Sequence, residues 1–204
     1  MKYKNLTVSQ KGLSLIESAM VLAISAVVVS GVLYYYNQAQ ENRKLEEGIK
    51  QIQTIAATVN KLYTNSTTRL QNGNDAANNK VVEAISAISG IPIKKLSNGD
   101  AKVFTTPSGQ WVQLWVEAKS SINTYQLETQ VQSVSSCISY ATLNMGTIMA
   151  GKTRIFAGDQ EQQGNDSSAS TNFSLSPSVA STLCENAEKK KNGNNIKVRY
   201  TLRY

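Results

Sequence analysis

The sequence predicts an α+β fold in which one long N-terminal helix packs on an antiparallel sheet, with a disulfide-stapled C-terminal region. Three observations carry this. An apolar run from Leu13 to Tyr36 passes without a break into a helix-period stripe that ends at Tyr63. Behind it come short alternating segments separated by turn residues, the last running from Ile196 to Arg203. The chain has two cysteines, Cys137 and Cys184, both far from the apolar run.

The helix comes first. The Leu13–Tyr36 run exceeds the roughly 20 residues that span a bilayer core, and Glu17 is its single charged residue. A carboxylate near the middle of such a helix costs about 2.5–3.5 kcal/mol. Leu13, Leu15, Ile16, Val21, Leu22, Ile24, Val27, Val28, Val29, Val32 and Leu33 return roughly 3–7 kcal/mol. Glu17 is also off-centre, so the helix inserts with its acid. Lys2, Lys4 and Lys11 keep the tail before it on the cytoplasmic side, a bias weakened by Arg43, Lys44 and Lys50. Tyr34, Tyr35 and Tyr36 fall where an interfacial aromatic belt belongs. Beyond them Leu45, Ile49, Ile52, Ala56, Val59 and Tyr63 recur at alternating steps of four and three, one face of a helix. Gly48 weakens the middle of this stretch by about 1 kcal/mol relative to Ala. Leu13 to Tyr63 thus reads as one spine of about 77 Å. An ordinary secretory signal has a shorter apolar core without an acid, so a retained anchor is favoured.

Next, Asn65–Asn79 is polar and reads as a loop. Val81, Val82, Ile85 and Ile88 predict a short amphipathic helix stopped by Gly90 and Pro92. Strand signals follow at Lys102–Thr105, Trp111–Glu117 and Thr124–Thr129, the first two joined by a Pro107-Ser108-Gly109 turn. Trp111 and Trp115 share one face of their strand and are expected to pack in the core against the spine. Cys137–Gly146 predicts a helix closed by glycine. Ser176-Pro177 supplies a cap and a first-turn proline for another around Val179–Cys184. Gly158–Asn172 reads as an exposed loop, and Lys189-Lys190-Lys191 before Asn192-Gly193 as a solvated turn.

The chemistry of enzymes is missing. The chain has no histidine, which removes the commonest general base and imidazole metal ligand. It has no glycine-rich phosphate loop. Asp100, Asp159, Glu161 and Asp166 read as solvated surface acids. No catalytic residue, metal site or cofactor is expected, and the net charge of +7 is too mild to predict specific nucleic-acid binding. Two cysteines outside the membrane fit a disulfide in an oxidising compartment, with two free buried thiols as the alternative.

The segment Lys11-Gly12-Leu13-Ser14-Leu15-Ile16-Glu17-Ser18-Ala19-Met20 resembles the leader junction of the type IV prepilins, and of the bundle-forming pilins of the type IVb group in particular. Ala141-Thr142-Leu143-Asn144-Met145-Gly146 after the first cysteine, and the proline-led segment holding the second, are similar to the same group. The resemblance implies the type IV pilin fold, with a leader at 1–12, a membrane and filament-core half-helix at 13–36, an amphipathic half at 37–63 and a globular head at 64–204. It implies that a prepilin peptidase/methyltransferase cuts between Gly12 and Leu13 and methylates the new N-terminus. Glu17 would then meet the N-terminal amine of a neighbouring subunit. It further implies polymerisation with copies of itself by an inner-membrane pilus assembly machinery. The precursor would sit in the bacterial inner membrane with its head in the periplasm, and the product would be an extracellular filament serving adhesion, aggregation or cell contact. Many other pilins carry a proline in the mature helix; here Gly31 is the one obvious weak point within the membrane span and the candidate hinge. A minor pilin or type II secretion pseudopilin shares this entry signal, and a membrane-anchored periplasmic binding module that never polymerises is the reading from another class.

Overall fold

The structure, a computed structural model, describes residues 14–70, 75–96, 99–116, 123–162 and 173–204. The chain forms two units, Met1–Arg43 and Lys44–Tyr204, and helix α1 (Leu15–Tyr63, 49 residues) contributes to both. Within the first unit the large apolar side chains stand outward, from Leu15 at 89% exposed to Tyr35 at 78%. That surface is made for an apolar surrounding. The polar side chains within it turn inward on the helix: Ser25 and Ser30 Oγ donate to the carbonyls of Val21 and Ala26, each at 2.7 Å. Among the described residues, α1 is the one helix long and apolar enough to cross a membrane.

In the second unit α1 turns Ile52, Ile55, Ala56 and Val59 fully into the core. Ile55 and the nearly buried Thr58 widen the expected stripe. Helix α2 (Asp75–Ser89) buries Val82 and Ile85 and stops where Gly90 takes φ +72°, with Gly90 N–H bonded to the Ser86 carbonyl. It starts inside the stretch read as a loop. Its first turns, Asp75 to Lys80, carry no large apolar residue and so gave no periodic signal.

Among the described residues, seven antiparallel strands make one sheet: β1 (Ile93–Lys95), β2 (Lys102–Thr105), β3 (Trp111–Trp115), β4 (Thr124–Val131), β5 (Arg154–Ala157), β6 (Gln160–Gln162) and β7 (Ile196–Arg203). Their order is β1-β2-β3-β4-β7-β5-β6, so the last strand lies inside the sheet. It pairs with β4 over its full length, aligning Tyr125 with Leu202, Leu127 with Tyr200, Thr129 with Val198 and Val131 with Ile196. These residues form the core face. Helix α3 (Val134–Ala141) and helix α4 (Pro177–Lys190) complete the unit. Ser133 and Ser176 cap them, accepting from the N–H groups of Ser136 and Val179, and Pro177 opens α4 as expected.

Several expectations are corrected. Val112 and Leu114, not the tryptophans, point into the core, and Trp111 and Trp115 lie on the opposite face of the sheet. Alternation shows which residues share a face, whereas burial is decided by the strands on either side. The α3 helix begins at Val134 and ends at Ala141; Gly146, at φ +64°, opens a 3₁₀ turn (Gly146–Ile148) rather than closing the helix. Strand β6 occupies part of the segment read as a loop, hairpinned to β5 through Gly158 at φ +61°. Lys189 and Lys190 belong to the last turn of α4, where cations meet the negative end of the helix dipole. The chain turns at Asn192 and Gly193, both with positive φ.

Burial pushes the Tyr140 phenol up to about 12 and raises those of Tyr125 and Tyr200 as well. An unfolded tyrosine ionises near pH 10. The stability these groups hold is therefore complete below about pH 10 and is lost as pH rises through the folded values. Alkaline titration followed by circular dichroism should show the second unit unfolding above about pH 10, together with tyrosinate absorbance. Titration of all nine tyrosines below that transition would contradict the burial.

Candidate assembly site

Glu17 stands three residues after Ser14, at the start of α1. The Ser14 N–H donates to Glu17 Oε2 at 2.9 Å, and the Glu17 N–H donates to Ser14 Oγ at 3.4 Å. This reciprocal pair is a capping box, which satisfies two of the helix's orphan donors and puts an acid where the dipole is positive. Ser-x-x-Glu ahead of an apolar run is its sequence signature. Ser18 Oγ in turn donates to the Ser14 carbonyl at 3.2 Å. Gly12 and Leu13 lie outside the described residues.

Cys137 on α3 and Cys184 on α4 are bonded, with Cα atoms 5.9 Å apart and both side chains fully buried. One turn beyond Cys137, the Tyr140 hydroxyl lies directly over Gly48 of α1. A Cβ built on Gly48 would sit 2.2 Å from that oxygen. The carbonyl of Tyr140 accepts from the buried Tyr200 hydroxyl at 2.7 Å, tying α3 to β7. Gly48 is thus the notch in the spine that receives the disulfide-bonded helix, a role invisible in its helix propensity.

On the outer face of the sheet Arg199 lies between two rings, 4.1 Å from the Phe156 centroid and 5.0 Å from that of Trp115. Its guanidinium bonds Glu128 at 2.7 Å, and Glu128 is only 3% exposed. Lys197 lies between Glu128, at 3.8 Å, and Asp159, at 3.0 Å. Its hydrogen bond and charge hold the Asp159 carboxyl below the usual range. Lys95 does the same for Asp100. These acids serve as ion-pair partners on the surface. Arg199, Glu128, Phe156 and Trp115 make a packed cluster on this outer face.

The matching family model, Bundlin, covers residues 37–203. The chain belongs to the bundlin family. It is 30% identical over 182 residues to the "Major structural subunit of bundle-forming pilus" of Escherichia coli O127:H6 (strain E2348/69 / EPEC), a match covering 88% of this chain and 90% of the relative. The protein of the same name from Escherichia coli O111:H- matches to the same extent. A crystal structure of a type IV b pilin from Salmonella typhi superposes with a TM-score of 0.50 at 14% identity, covering 77% of this chain and 97% of that one, and shows the shared fold. The bundlin-family model begins at residue 37, after the apolar half of α1. The expected fold, with long helix, antiparallel sheet and Cys137–Cys184 bond, is the observed one.

Proposed function

We propose that this chain is the major structural subunit of a type IVb pilus. It is made as an inner-membrane precursor with its head in the periplasm and is polymerised into an extracellular filament. The observation that carries the reading is α1 itself: an apolar half that the chain leaves uncovered, joined to a disulfide-closed head of the bundlin family. Such a helix needs lipid before assembly and copies of itself afterwards. The chain's role is structural, and its enzymatic partners are the peptidase that cuts between Gly12 and Leu13 and the machinery that extracts the subunit.

Glu17 has two tasks in this reading. In the single subunit the Ser14 N–H satisfies one carboxylate oxygen, which lowers the cost of holding the acid in lipid. During assembly the freed amine of a neighbour's Leu13 becomes its partner, and a buried acid–amine pair specifies the register of stacked helices. Capping and charge can be separated, because Gln also completes a capping box. Glu17→Ala and Glu17→Gln should both be cleaved normally and yield no filaments in sheared surface fractions. Normal filaments from Glu17→Gln would reduce Glu17 to a cap. N-terminal mass spectrometry of sheared wild-type filaments should find a methylated Leu13 on the most abundant protein. Residues 1–12 still attached would overturn the processing step, and low abundance would favour a minor pilin.

A further inference from the structure

Helix α4 ends at Lys190, and the chain reaches β7 at Ile196 through a tight turn centred on Asn192 and Gly193. The Asn194 N–H donates to the Lys191 carbonyl at 2.7 Å. Asn192 (φ +45°) and Gly193 (φ +81°) both have positive φ, as a type I′ turn requires. Residues 192 to 195 are all exposed. We propose that Asn192 is a self-modifying site, where the chain loses ammonia and takes up water without an enzyme, and that the product loosens the start of β7. The inference does not depend on the pilus reading.

The reacting groups are the Asn192 side-chain amide and the Gly193 backbone nitrogen. Among the described residues neither has a hydrogen-bond partner, so no bond of theirs must break before they meet. Glycine has no side chain to shield its nitrogen. Apart from its chain neighbours, no heavy atom lies within 4 Å of where a Cβ on Gly193 would stand, which leaves room for a ring. The Gly193 nitrogen bonds to Cγ of Asn192 and gives up its proton, the Cγ–Nδ2 bond breaks, and the amide nitrogen leaves as ammonia. Water then opens the cyclic imide. Cleavage of the new N–Cγ bond yields aspartate on an unaltered main chain. Cleavage of the original peptide bond yields isoaspartate, whose main chain runs through the side chain and is a methylene longer. Either product sets a carboxylate at the negative end of the α4 dipole and lowers the formal net charge of +7 by one.

The consequence follows from what this turn holds. Ile196 opens β7, aligned with Val131 of β4 on one side and Ala157 of β5 on the other. The Gly158 N–H donates to the Asn195 carbonyl at 3.2 Å. The Asn194 side chain packs over Gly158, 3.1 Å from where a Cβ there would stand. A methylene added between Lys191 and Asn194 strains the bond that closes the turn and both attachments to the β5–β6 hairpin.

The experiment ages the detergent-solubilised full-length chain in mildly alkaline buffer and digests it with trypsin, which releases residues 192–197 as one peptide. Fragmentation mass spectrometry should find aspartate and isoaspartate at position 192 accumulating many-fold faster than at Asn194 or Asn195, which precede bulkier residues. The same digest resolves the other Asn-Gly pairs, Asn72-Gly73 and Asn98-Gly99. Asn192→Gly keeps the positive φ and lacks the amide. Hydrogen exchange at the first amides of β7 should rise several-fold in aged wild type and stay unchanged in aged Asn192→Gly. Conversion at position 192 no faster than at Asn194 and Asn195 would overturn the site, and aspartate without isoaspartate would overturn the cyclic route. Unchanged exchange in converted protein would overturn the effect on β7.

Discussion

Cys184→Ser should lower the melting temperature of the second unit by roughly 8–16 °C, the largest single effect expected in this chain. The bond closes a loop with a sequence separation of 47 residues, and the chain-entropy relation gives about 4 kcal/mol for such a loop. A domain of this size shifts by about 2–4 °C per kcal/mol. The local setting adds to the cost. Both sulfurs are fully buried between α3 and α4, and a serine hydroxyl left there without a partner is penalised further. Thermal unfolding of the detergent-solubilised chain followed by circular dichroism is the measurement, with wild type plus reductant as the matched control. Reduced wild type and Cys184→Ser should melt close together. If the reduced wild type melts with the oxidised protein, the bond is not what holds α3 against α4. In the cell the same loss should appear as a lower steady-state subunit level, because marginal stability is converted into abundance by proteolysis.

Which parts of this molecule were legible in its residues follows from how one-sided each element is. Strand β7 announced itself because Ile196, Val198, Tyr200 and Leu202 face the core while Lys197, Arg199, Thr201 and Arg203 do not. Strand β4 runs two residues beyond its expected end at Thr129. Its outer face buries Gln126 and Glu128 almost as deeply as its core face buries Tyr125 and Leu127, which blurs the polar boundary. Strand β6, Gln160-Glu161-Gln162, has no apolar signature at all; it exists because Gly158 turns the chain back onto β5. Trp111 and Trp115 depart from the expectation that large aromatics pack inside. Trp115 is instead placed by Arg199, whose cation meets its ring while its guanidinium bonds Glu128. At the candidate assembly site the exceptional acid is plain from hydropathy, but its cap is not, although Ser14 and Glu17 stand at the right spacing. The disulfide pairing needed no geometry, since the chain holds only two cysteines.

Gly48→Ala is the second large effect, and its sign runs against helix propensity. On an exposed helix the change would stabilise by about 1 kcal/mol. Here the new methyl would lie 2.2 Å from the Tyr140 hydroxyl and 3.5 Å from the ring carbon that bears it. Tyr140 is only 4% exposed, so its ring has little room to swing away. Its backbone is held by the Tyr200 hydroxyl on one side and, a turn earlier, by the Cys137 bond on the other. Overpacking of this kind costs about 1–3 kcal/mol, which outweighs the propensity gain, and a net loss of about 1–2 kcal/mol is expected. The mechanism is separable from a general intolerance of the site by a double-mutant cycle. Tyr140→Phe deletes the atom that collides, so Gly48→Ala in that background should cost far less, whereas Tyr200→Phe leaves that atom in place and should give no such relief. Equal losses in the two backgrounds, measured by denaturant titration, would show that the notch at Gly48 is not shaped to the phenol. The Gly48–Tyr140 contact is where the disulfide-bonded helix grips α1, so a loosened notch should lower the temperature up to which the head holds that helix.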